Sequence, residues 1–278
     1  MYSLKIDVDR VRADSTRRGP DDVAVEEPLE IQVCSAKESD AAARSISITM
    51  RTPGHDVELA LGFLVSESII QDGREVKDAA LVGNADEKTG LRNTVRIELE
   101  AGVEVDLSNL SRHFYTTSSC GVCGKASLDA LRVAVPEMRA DEFSITTERL
   151  IGLPASLRDN QAVFEHTGGL HAAAAFDAQG ELLIVREDVG RHNAVDKVVG
   201  ALLSDGRLPA SDLGILVSGR ASFELMQKAL VAGIPMLAAV SAPSSLAVEL
   251  AQEYSLTLVG FLRGDGYNVY SGSERIQS

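Results

Sequence analysis

The sequence predicts an α/β protein in which a regular C-terminal half follows a smaller α+β unit. From residue 170 to residue 262, apolar strand patterns alternate with helical patterns, and a hairpin with the turn "DAQG" opens this region. Such alternation implies crossover connections and a largely parallel sheet that helices cover on both faces. The preceding stretch is β-rich and switches once to a helical period. A helix, a hairpin and then helix–strand repeats fit a deaminase-like α/β/α layout as well as a Rossmann-like one.

The N-terminal part divides into a lead-in and a small domain. Residues 1–22 mix charged residues with Gly19 and Pro20 and lack apolar periodicity, so we predict a flexible lead-in. Residues 23–110 form the predicted α+β domain, with strands in "PLEIQVCS", "SISITM" and "NTVRIELE". Before the last strand, "TPGHDVELALGFLVSESII" predicts a helix for which residues 52–56 supply the turn and the capping groups.

Two further segments complete the predicted organisation. Residues 111–140 hold the loop "TTSSCGVCGK" and the short linker helix "KASLDALRVAV". Residues 141–278 form the C-terminal domain, which begins with a helix capped by Thr147 and running to about Asn160. Its later strands "LGILVSG", "PMLAAVSA" and "LTLVGFL" each follow a helical pattern.

The composition is that of a globular protein of the cytoplasm. Of the 278 residues, 45 % are hydrophobic and 24 % are charged, and three cysteines are too few for a secreted disulfide scaffold. No apolar run approaches the ~18 residues that span a bilayer, and the first residues lack the apolar core of a signal peptide. We therefore expect a cytoplasmic protein without a membrane segment.

Four loops after predicted strands suggest a site for a small anion. A formal net charge of −14 argues against a general nucleic-acid binder, because attraction to phosphates supplies most of such affinity. Three of the loops nevertheless carry an arginine, namely Arg191 in "REDVGRHN", Arg220 in "SGR" and Arg263 in "RGDG". The fourth, "SAPSS", offers Ser244 as the cap of a helix whose N-terminus attracts anions.

The position of these loops strengthens that interpretation. Ligands of open α/β sheets bind outside the carboxyl ends of the strands, and arginines gathered there predict a phosphate-bearing ligand. Asp265 could accept hydrogen bonds from a base or a ribose. The alternative for each loop is an ordinary solvated turn, and neither Walker spacing nor GxGxxG is present.

The pair Cys120 and Cys123 allows three interpretations, of which zinc is the first. A structural zinc site needs four ligands, and the sequence contains no second CxxC. A zinc deaminase needs His-x-Glu before its cysteines, whereas here His171 follows them and precedes two alanines. The second interpretation, redox exchange, expects the CxxC between a strand and a helix of a βαβ unit, and this pair lies outside the parallel sheet. We predict no bound metal ion.

The third interpretation is transfer of a group by a thiol. Cys120 and Cys123 precede a predicted helix, and Lys125 is close by. A helix N-terminus and a cation both lower the pKa of a thiol and raise its thiolate fraction. A thiolate in a glycine-rich loop can attack a sulfane donor and carry the sulfur as a persulfide. Cys34 lies in an apolar strand pattern, which predicts a core residue.

Five motifs together resemble the formate dehydrogenase accessory sulfurtransferases, the FdhD family. They are "SSCGVCGK", "TGGLHAAAAF", "REDVGRHNAVDKVVG", "SGRASFELMQKA" and "GFLRGDGYNVY", and the resemblance runs from about residue 25 to the C-terminus. It implies a small N-terminal domain joined to a cytidine-deaminase-like three-layer α/β/α domain in a homodimer. It also implies that sulfur passes from a cysteine desulfurase to the molybdenum cofactor before that cofactor enters formate dehydrogenase.

The resemblance assigns roles to individual residues. Cys120 is the expected persulfide carrier, and Cys123 supports the transfer. The expected acceptor is the cofactor molybdenum-bis(molybdopterin guanine dinucleotide). Its guanine nucleotide part is expected to bind the stretch formed by Phe261, Leu262, Arg263, Gly264, Asp265 and Gly266.

These observations favour a sulfur carrier that acts on a bound molybdopterin nucleotide. Arg191, Arg220 and Arg263 are predicted to neutralise the phosphates of the cofactor. His192 could hydrogen-bond the cofactor or move a proton, whereas His171 is expected to pack within the fold. The alternative is a binding chaperone that delivers the cofactor to the apo-enzyme, with the cysteines only assisting. A zinc-dependent hydrolase or deaminase is a third hypothesis.

Overall fold

The computed structural model describes residues 2–35, 43–87, 89–103 and 143–278. Within these ranges the chain forms six α-helices and fourteen β-strands, and the predicted α/β class is confirmed. No helix in this part of the chain has the length and apolarity that a membrane span requires. The loop with Cys120 and Cys123 and the predicted linker helix of residues 111–140 lie outside the described residues.

The N-terminal segment forms an antiparallel hairpin, so the prediction of a lead-in without regular structure is wrong. Its strands are β1 (Ser3–Arg12) and β2 (Ser15–Ala24). Leu4, Ile6 and Val8 alternate with polar residues, a strand period that the high charge of the segment conceals. The Arg10 Nη2 also joins the two strands, because it donates to Asp21 Oδ1 at 2.9 Å.

Four strands make the sheet of the N-terminal unit. They are β3 (Glu27–Ser35), β4 (Arg44–Arg51), β5 (Val76–Val82) and β6 (Thr94–Leu99), in the order β4-β3-β6-β5. Leu29, Ile31 and Val33 alternate along β3 and join the core formed with helix α1 (Asp56–Ser66). Cys34 of β3 is also buried, which confirms its predicted place in the core.

Helix α1 begins without the predicted side-chain cap. Its N-cap His55 is in the left-handed region, with φ 56°, and makes no side-chain capping bond. The Thr52 Oγ1 instead accepts a hydrogen bond from Val189 N at 3.2 Å. Asp56 pairs with the fully buried Arg51, whose Nε lies 2.8 Å from Asp56 Oδ1. Thr52 therefore ties the N-terminal unit to the C-terminal half, whereas Asp56 is engaged within the N-terminal unit.

The C-terminal half is built on a six-stranded sheet with the order β13-β12-β11-β10-β8-β9. The elements that lead into it are β7 (Ile145–Thr146), α2 (Thr147–Asp159) and α3 (Ala162–Thr167). The hairpin of β8 (His171–Phe176) and β9 (Leu182–Asp188) precedes α4 (Arg191–Ser204) and β10 (Gly214–Val217). Then follow α5 (Phe223–Val231), β11 (Met236–Ala239), α6 (Ser245–Glu253), β12 (Thr257–Arg263), β13 (Gly266–Ser271) and β14 (Ile276–Gln277).

The connections follow the prediction in part. The hairpin with the turn "DAQG" is confirmed, and β10, β11 and β12 are mutually parallel. The other three strands are antiparallel to their neighbours, because two tight turns reverse the chain. The second of these turns is "RGDG", so the segment predicted as a ligand loop also leads into β13. The cap of α2 is Thr146 and not Thr147, since the Thr146 Oγ1 accepts from Arg149 N at 3.4 Å.

The two faces of the main sheet pack against different helices. One face presents Ala173, Ala175 and Ile215 to a core that includes residues of α1, α4, α5 and α6. The other presents Ala172 and Ala174 to a second core with residues of α2. Alternate residues of one strand therefore enter opposite cores, as the two-residue period of a strand requires.

The α1 helix is also joined to the main sheet by a half-buried ion pair. The Arg186 Nη2 on β9 donates to Glu58 Oε1 at 2.8 Å, and Arg186 Nε donates to the other carboxylate oxygen. His55 Nδ1 lies 3.2 Å from Glu58 Oε2. Burial opposes ionisation of Glu58, but the hydrogen bonds from Arg186 and His55 outweigh it and lower the pKa of Glu58 to about 2.

We predict that Glu58→Gln lowers the free energy of unfolding by about 2–3 kcal/mol at pH 7. A carboxyl whose pKa falls on folding stabilises the protein above its ordinary pKa of 4.5, and this contribution is lost as the pH falls towards 2. Urea unfolding at several pH values checks the prediction. The difference in the free energy of unfolding between Glu58→Gln and the wild type should shrink as the pH falls from 4.5 to 2. Glu98→Gln, which breaks the more exposed pair with Lys77, should cost clearly less. Equal losses in the two variants would contradict the prediction.

Candidate functional site

The carboxyl ends of β9, β10, β11 and β12 lie along one edge of the main sheet, together with the first residue of β8. His171 of β8 pairs with Asp188 at the end of β9, and Ala173 pairs with Val217 at the end of β10. β11 and β12 continue in parallel with β10. The four predicted loops therefore share one side of the sheet, which we call the carboxyl edge. It consists of His171 and residues 188–193, 218–224, 241–245 and 261–266.

Two charged side chains of "REDVGRHN" are engaged within the protein. Arg186 is paired with Glu58. The Glu187 carboxylate accepts hydrogen bonds from the N–H groups of Val163, at 3.0 Å, and Phe164, at 2.8 Å, in the first turn of α3. Both side chains therefore stabilise the fold.

Asp188 is the centre of a buried network that holds the loop after β9. Its Oδ1 accepts from Gly190 N at 2.8 Å and from Asn193 Nδ2 at 3.0 Å, and its Oδ2 lies 2.7 Å from Lys197 Nζ. Thr52 N donates to the same carboxylate at 3.1 Å. Burial raises the pKa of Asp188, and the charge of Lys197 opposes that rise. The network fixes the backbone where α4 begins.

Two polar atoms near the starts of α4 and α5 are buried and have neither a hydrogen-bond partner nor an ion-pair partner among the described residues. They are the Nε of Arg191, the first residue of α4, and the Oγ of Ser222, the N-cap of α5. Neither helix has a side-chain capping bond. By contrast, the Ser244 Oγ caps α6 by accepting from Ala247 N at 3.3 Å, as the sequence predicts.

Two histidines lie beside these atoms. His171 is half-buried, and its ring lies next to Gly219, where an added Cβ would lie 3.4 Å from His171 Nδ1. Burial lowers the pKa of His171, and the charges of Arg191 and His192 lower it further. The expectation that His171 packs within the fold is thus met only in part, because the ring also lines the carboxyl edge. His192 Nε2 lies 2.7 Å from Glu224 Oε2, an ion-pair contact between α4 and α5.

The other two predicted arginines are exposed. Arg220 follows β10, and Arg263 is the last residue of β12. The Arg263 guanidinium carbon lies 5.6 Å from the centroid of the Phe261 ring, a cation–π contact. Cationic side chains thus stand at both ends of the carboxyl edge, at α4 and at the β12–β13 turn.

The stretch from Phe261 to Gly266 combines a strained backbone with an open turn. Phe261 has φ 54°, and its N–H donates to Ser241 O at 3.1 Å, which joins the ends of β11 and β12. The Leu262 side chain is buried in the second core. Gly264 and Asp265 are exposed at the turn. The side chains that face outward here are therefore those of Arg263 and Asp265.

Ser222 is not among the residues predicted for the site. Its only signal is a serine that directly precedes the helical pattern "FELMQKALV", which predicts an N-cap. The structure differs from that pattern, because the hydroxyl makes no capping bond.

Within the described ranges, no group of three or more histidine, cysteine or acidic side chains could hold a metal ion.

The chain is similar to named proteins over nearly its whole length. The FdhD/NarQ family pattern matches residues 24–277. The sulfur carrier protein FdhD of Streptomyces coelicolor is 52 % identical over 96 % of this chain and 93 % of its own length. The protein of the same name from Streptomyces avermitilis is 51 % identical over the same shares.

A solved structure shares the fold. It is a crystal structure from Desulfotalea psychrophila, provisionally described as a formate dehydrogenase accessory protein. It has a TM-score of 0.75 and 22 % identity, and the match covers 99 % of this chain and all of that one. Because the family pattern and relatives of about one-half identity cover almost every residue, the chain belongs to the FdhD/NarQ family.

Proposed function

We propose that the protein is a sulfur carrier that takes sulfane sulfur from a cysteine desulfurase and passes it to a molybdenum cofactor that formate dehydrogenase uses. The observation that carries this proposal is the pair Cys120 and Cys123 in a chain 52 % identical to a protein named as a sulfur carrier. The family match includes both cysteines. The provisional description of the Desulfotalea psychrophila protein supports formate dehydrogenase as the enzyme that uses the cofactor.

The first chemical step is a thiol–persulfide exchange. The Cys120 thiolate attacks the terminal sulfur of the desulfurase persulfide, a new S–S bond forms and the old S–S bond breaks. The desulfurase cysteine leaves as a thiolate, so charge and oxidation level balance without an outside oxidant. Lys125, five residues after Cys120 in the sequence, supplies a cation of the kind that raises the thiolate fraction of a nearby cysteine. Cys123 supports release of the sulfur to its acceptor.

The acceptor is the molybdenum centre of molybdenum-bis(molybdopterin guanine dinucleotide), bound as a substrate. The carboxyl edge suits its anionic nucleotide part. Arg191 Nε is buried without a described partner, and Arg220 and Arg263 are exposed cations. We assign the phosphates to these arginines and the guanine nucleotide to the stretch from Phe261 to Gly266, where Asp265 is open to a donor on the base.

The remaining features follow from the same proposal. We infer that the C-terminal half is a cytidine-deaminase-like domain, because a hairpin precedes three parallel strands and helices cover both sheet faces. We further infer that the protein acts in the cytoplasm as a homodimer. The absence of a catalytic glutamate two residues after His171 agrees with a domain that binds a nucleotide and does not deaminate it.

Intact-mass measurement tests the carrier proposal. The purified protein is incubated with an active cysteine desulfurase and free cysteine, and its mass is taken without reductant. We expect a gain of one sulfur atom that maps to Cys120 and disappears on reduction. No gain, with the desulfurase shown to be active, would contradict the carrier proposal and favour the chaperone alternative.

A further inference from the structure

The exposed apolar side chains of the N-terminal half are concentrated on two strands. Within the described ranges, eight large hydrophobic residues are exposed, and five of them lie on β1 or β4, namely Leu4, Ile6, Val11, Ile48 and Met50. Single apolar residues scattered over a surface are ordinary, whereas a group of them in one place marks a binding surface. The two strands therefore offer surfaces that a partner could cover.

One face of the β1–β2 hairpin has opposite charges facing each other across the strands. Lys5 lies opposite Asp22, and Asp9 lies opposite Arg18. Opposite charges in directly facing positions stabilise an antiparallel pair, and charged side chains suit a face that water covers. This face of the hairpin is therefore complete without a partner.

The other face, which we call the ribbon face, is apolar near its base and cationic near the turn. It consists of the facing pairs Leu4 and Val23, Ile6 and Asp21, Val8 and Gly19, Arg10 and Arg17, and Arg12 and Ser15. Arg10 lies directly opposite Arg17, and like charges in that position destabilise a hairpin. Arg10 is paired with Asp21, whereas Arg12 and Arg17 have no ion-pair partner among the described residues. The ribbon face therefore combines an apolar strip with two unpaired cations.

The second surface lies on β4, which is an edge strand of the N-terminal sheet. Ile48 is 69 % exposed and lies opposite Glu30 of β3, and Met50 is 47 % exposed and lies opposite Pro28. Glu26, which is exposed, directly precedes β3. We call these five residues the β4 patch. It combines apolar side chains with carboxylates at the edge of a sheet, where backbone groups are also open to a partner.

The distribution of charge favours a second copy of the chain as the partner of the ribbon face. Residues 1–24 carry five basic and five acidic side chains, so the whole excess of 14 acidic charges belongs to residues 25–278. The cationic end of the ribbon is therefore complementary in charge to the body of an identical chain. In a twofold dimer such a contact forms twice, because each chain contributes both of its surfaces.

We propose that the protein forms a twofold dimer in which the ribbon face of each chain lies on the β4 patch of the other. The apolar strip covers Ile48 and Met50, and the unpaired arginines meet the carboxylates beside them. This inference rests on the proposed homodimer and specifies its interface. It explains why the most exposed apolar residue of β4 and the apolar strip of β1 are left uncovered within one chain.

Analytical ultracentrifugation of the full chain tests the interface. We expect the wild type to sediment with the mass of two chains. Ile6→Glu should raise the Kd of the dimer at least about tenfold, because the new carboxylate lies beside Asp21 and faces the carboxylates of the β4 patch. Ile48→Lys should raise the Kd by a similar factor, since its ammonium group faces the arginines of the ribbon face.

Val11→Glu is the matched control for Ile6→Glu. Val11 lies on the same strand and is 73 % exposed, but it belongs to the opposite face of the hairpin. The Kd of this variant should stay within about twofold of the wild type. An equal rise in Kd for Val11→Glu and Ile6→Glu would contradict the assignment of the interface to the ribbon face.

An equimolar mixture of Ile6→Glu and Ile48→Lys separates a true contact from damage to either variant. A mixed dimer keeps one wild-type contact and pairs the new glutamate with the new lysine in the other contact. At the same total concentration, the mixture should therefore contain more dimer than either variant alone. Recovery of the dimer also requires that both variants are folded.

The possible failures of this inference are distinguishable. A wild type that sediments as a monomer would overturn both this interface and the proposed homodimer. A dimeric wild type whose Kd neither variant changes would overturn the ribbon interface alone, as would a mixture with no more dimer than its components. Sulfur loading of Cys120 is measured separately, so failure of the carrier proposal is recognised independently.

Discussion

Gly200→Ala should lower the free energy of unfolding by more than about 4 kcal/mol. Helices α1 and α4 cross with backbone against backbone, and an ideal Cβ on Gly200 would lie 1.8 Å from the carbonyl oxygen of Glu58. The contact is reciprocal, since a Cβ on Gly62 would lie 1.8 Å from the carbonyl oxygen of Asp196. Real Cβ atoms essentially never approach closer than 3.0 Å, so the helices would have to separate by more than an ångström.

That separation would affect more than one contact. The same interface holds the apolar core of α1 and α4, the hydrogen bond from Ser66 Oγ to Asp196 and the ion pair of Asp196 with Lys228. Overpacking alone typically costs about 1–3 kcal/mol, and disturbance of a buried ion pair adds about 3–5 kcal/mol. We therefore expect a loss above about 4 kcal/mol, a large part of the stability of a typical domain.

Urea unfolding followed by circular dichroism checks this expectation. Gly152→Ala in α2 is the matched control, because a Cβ at that helical position meets nothing within 4 Å. There the substitution should stabilise the protein by about 0.5–1 kcal/mol through better helix propensity. A midpoint for Gly200→Ala equal to that of Gly152→Ala would contradict the close helix crossing.

The spacing of apolar residues and the residue types at turns correctly predict the strands, helices and hairpin whose positions they determine. The "DAQG" hairpin and the strands and helices from β8 to β12 are present as expected, because each buries a regular apolar pattern. The N-terminal hairpin was missed because its apolar residues alternate with charges on a largely exposed ribbon. The prediction also missed β13, because a glycine-rich turn is typical of both a hairpin and a ligand loop.

The polar loop residues show a different limit of sequence reasoning. Asp188 and Arg191 stand three residues apart in one loop, and nothing in their types indicates which of them faces a ligand. Only the tertiary contacts separate them: Asp188 is enclosed by Lys197 and Thr52, whereas Arg191 Nε has no described partner. The need for Gly62 and Gly200 likewise depends on a contact between helices more than 100 residues apart in sequence.

Cys120→Ala should abolish activation of formate dehydrogenase while the protein still binds the guanine nucleotide. Alanine removes the proposed sulfur nucleophile, and no other atom of the side chain can form the S–S bond. The arginines and the turn assigned to nucleotide binding belong to the carboxyl edge, so their contacts do not depend on the Cys120 sulfur. The two readouts are activity of a formate dehydrogenase matured with the variant and calorimetric affinity for GDP.

Cys34→Ala is the matched control for that variant. Cys34 is buried on β3, and its Sγ lies 3.9 Å from the carbonyl oxygen of Ile97, so the thiol behaves as a small core side chain. Its removal should cost about 1 kcal/mol of stability and leave activation at the wild-type level. If Cys120→Ala activates formate dehydrogenase as well as Cys34→Ala does, the thiol is not the carrier. The protein would then act by holding the cofactor, because the carboxyl edge is unchanged in both variants.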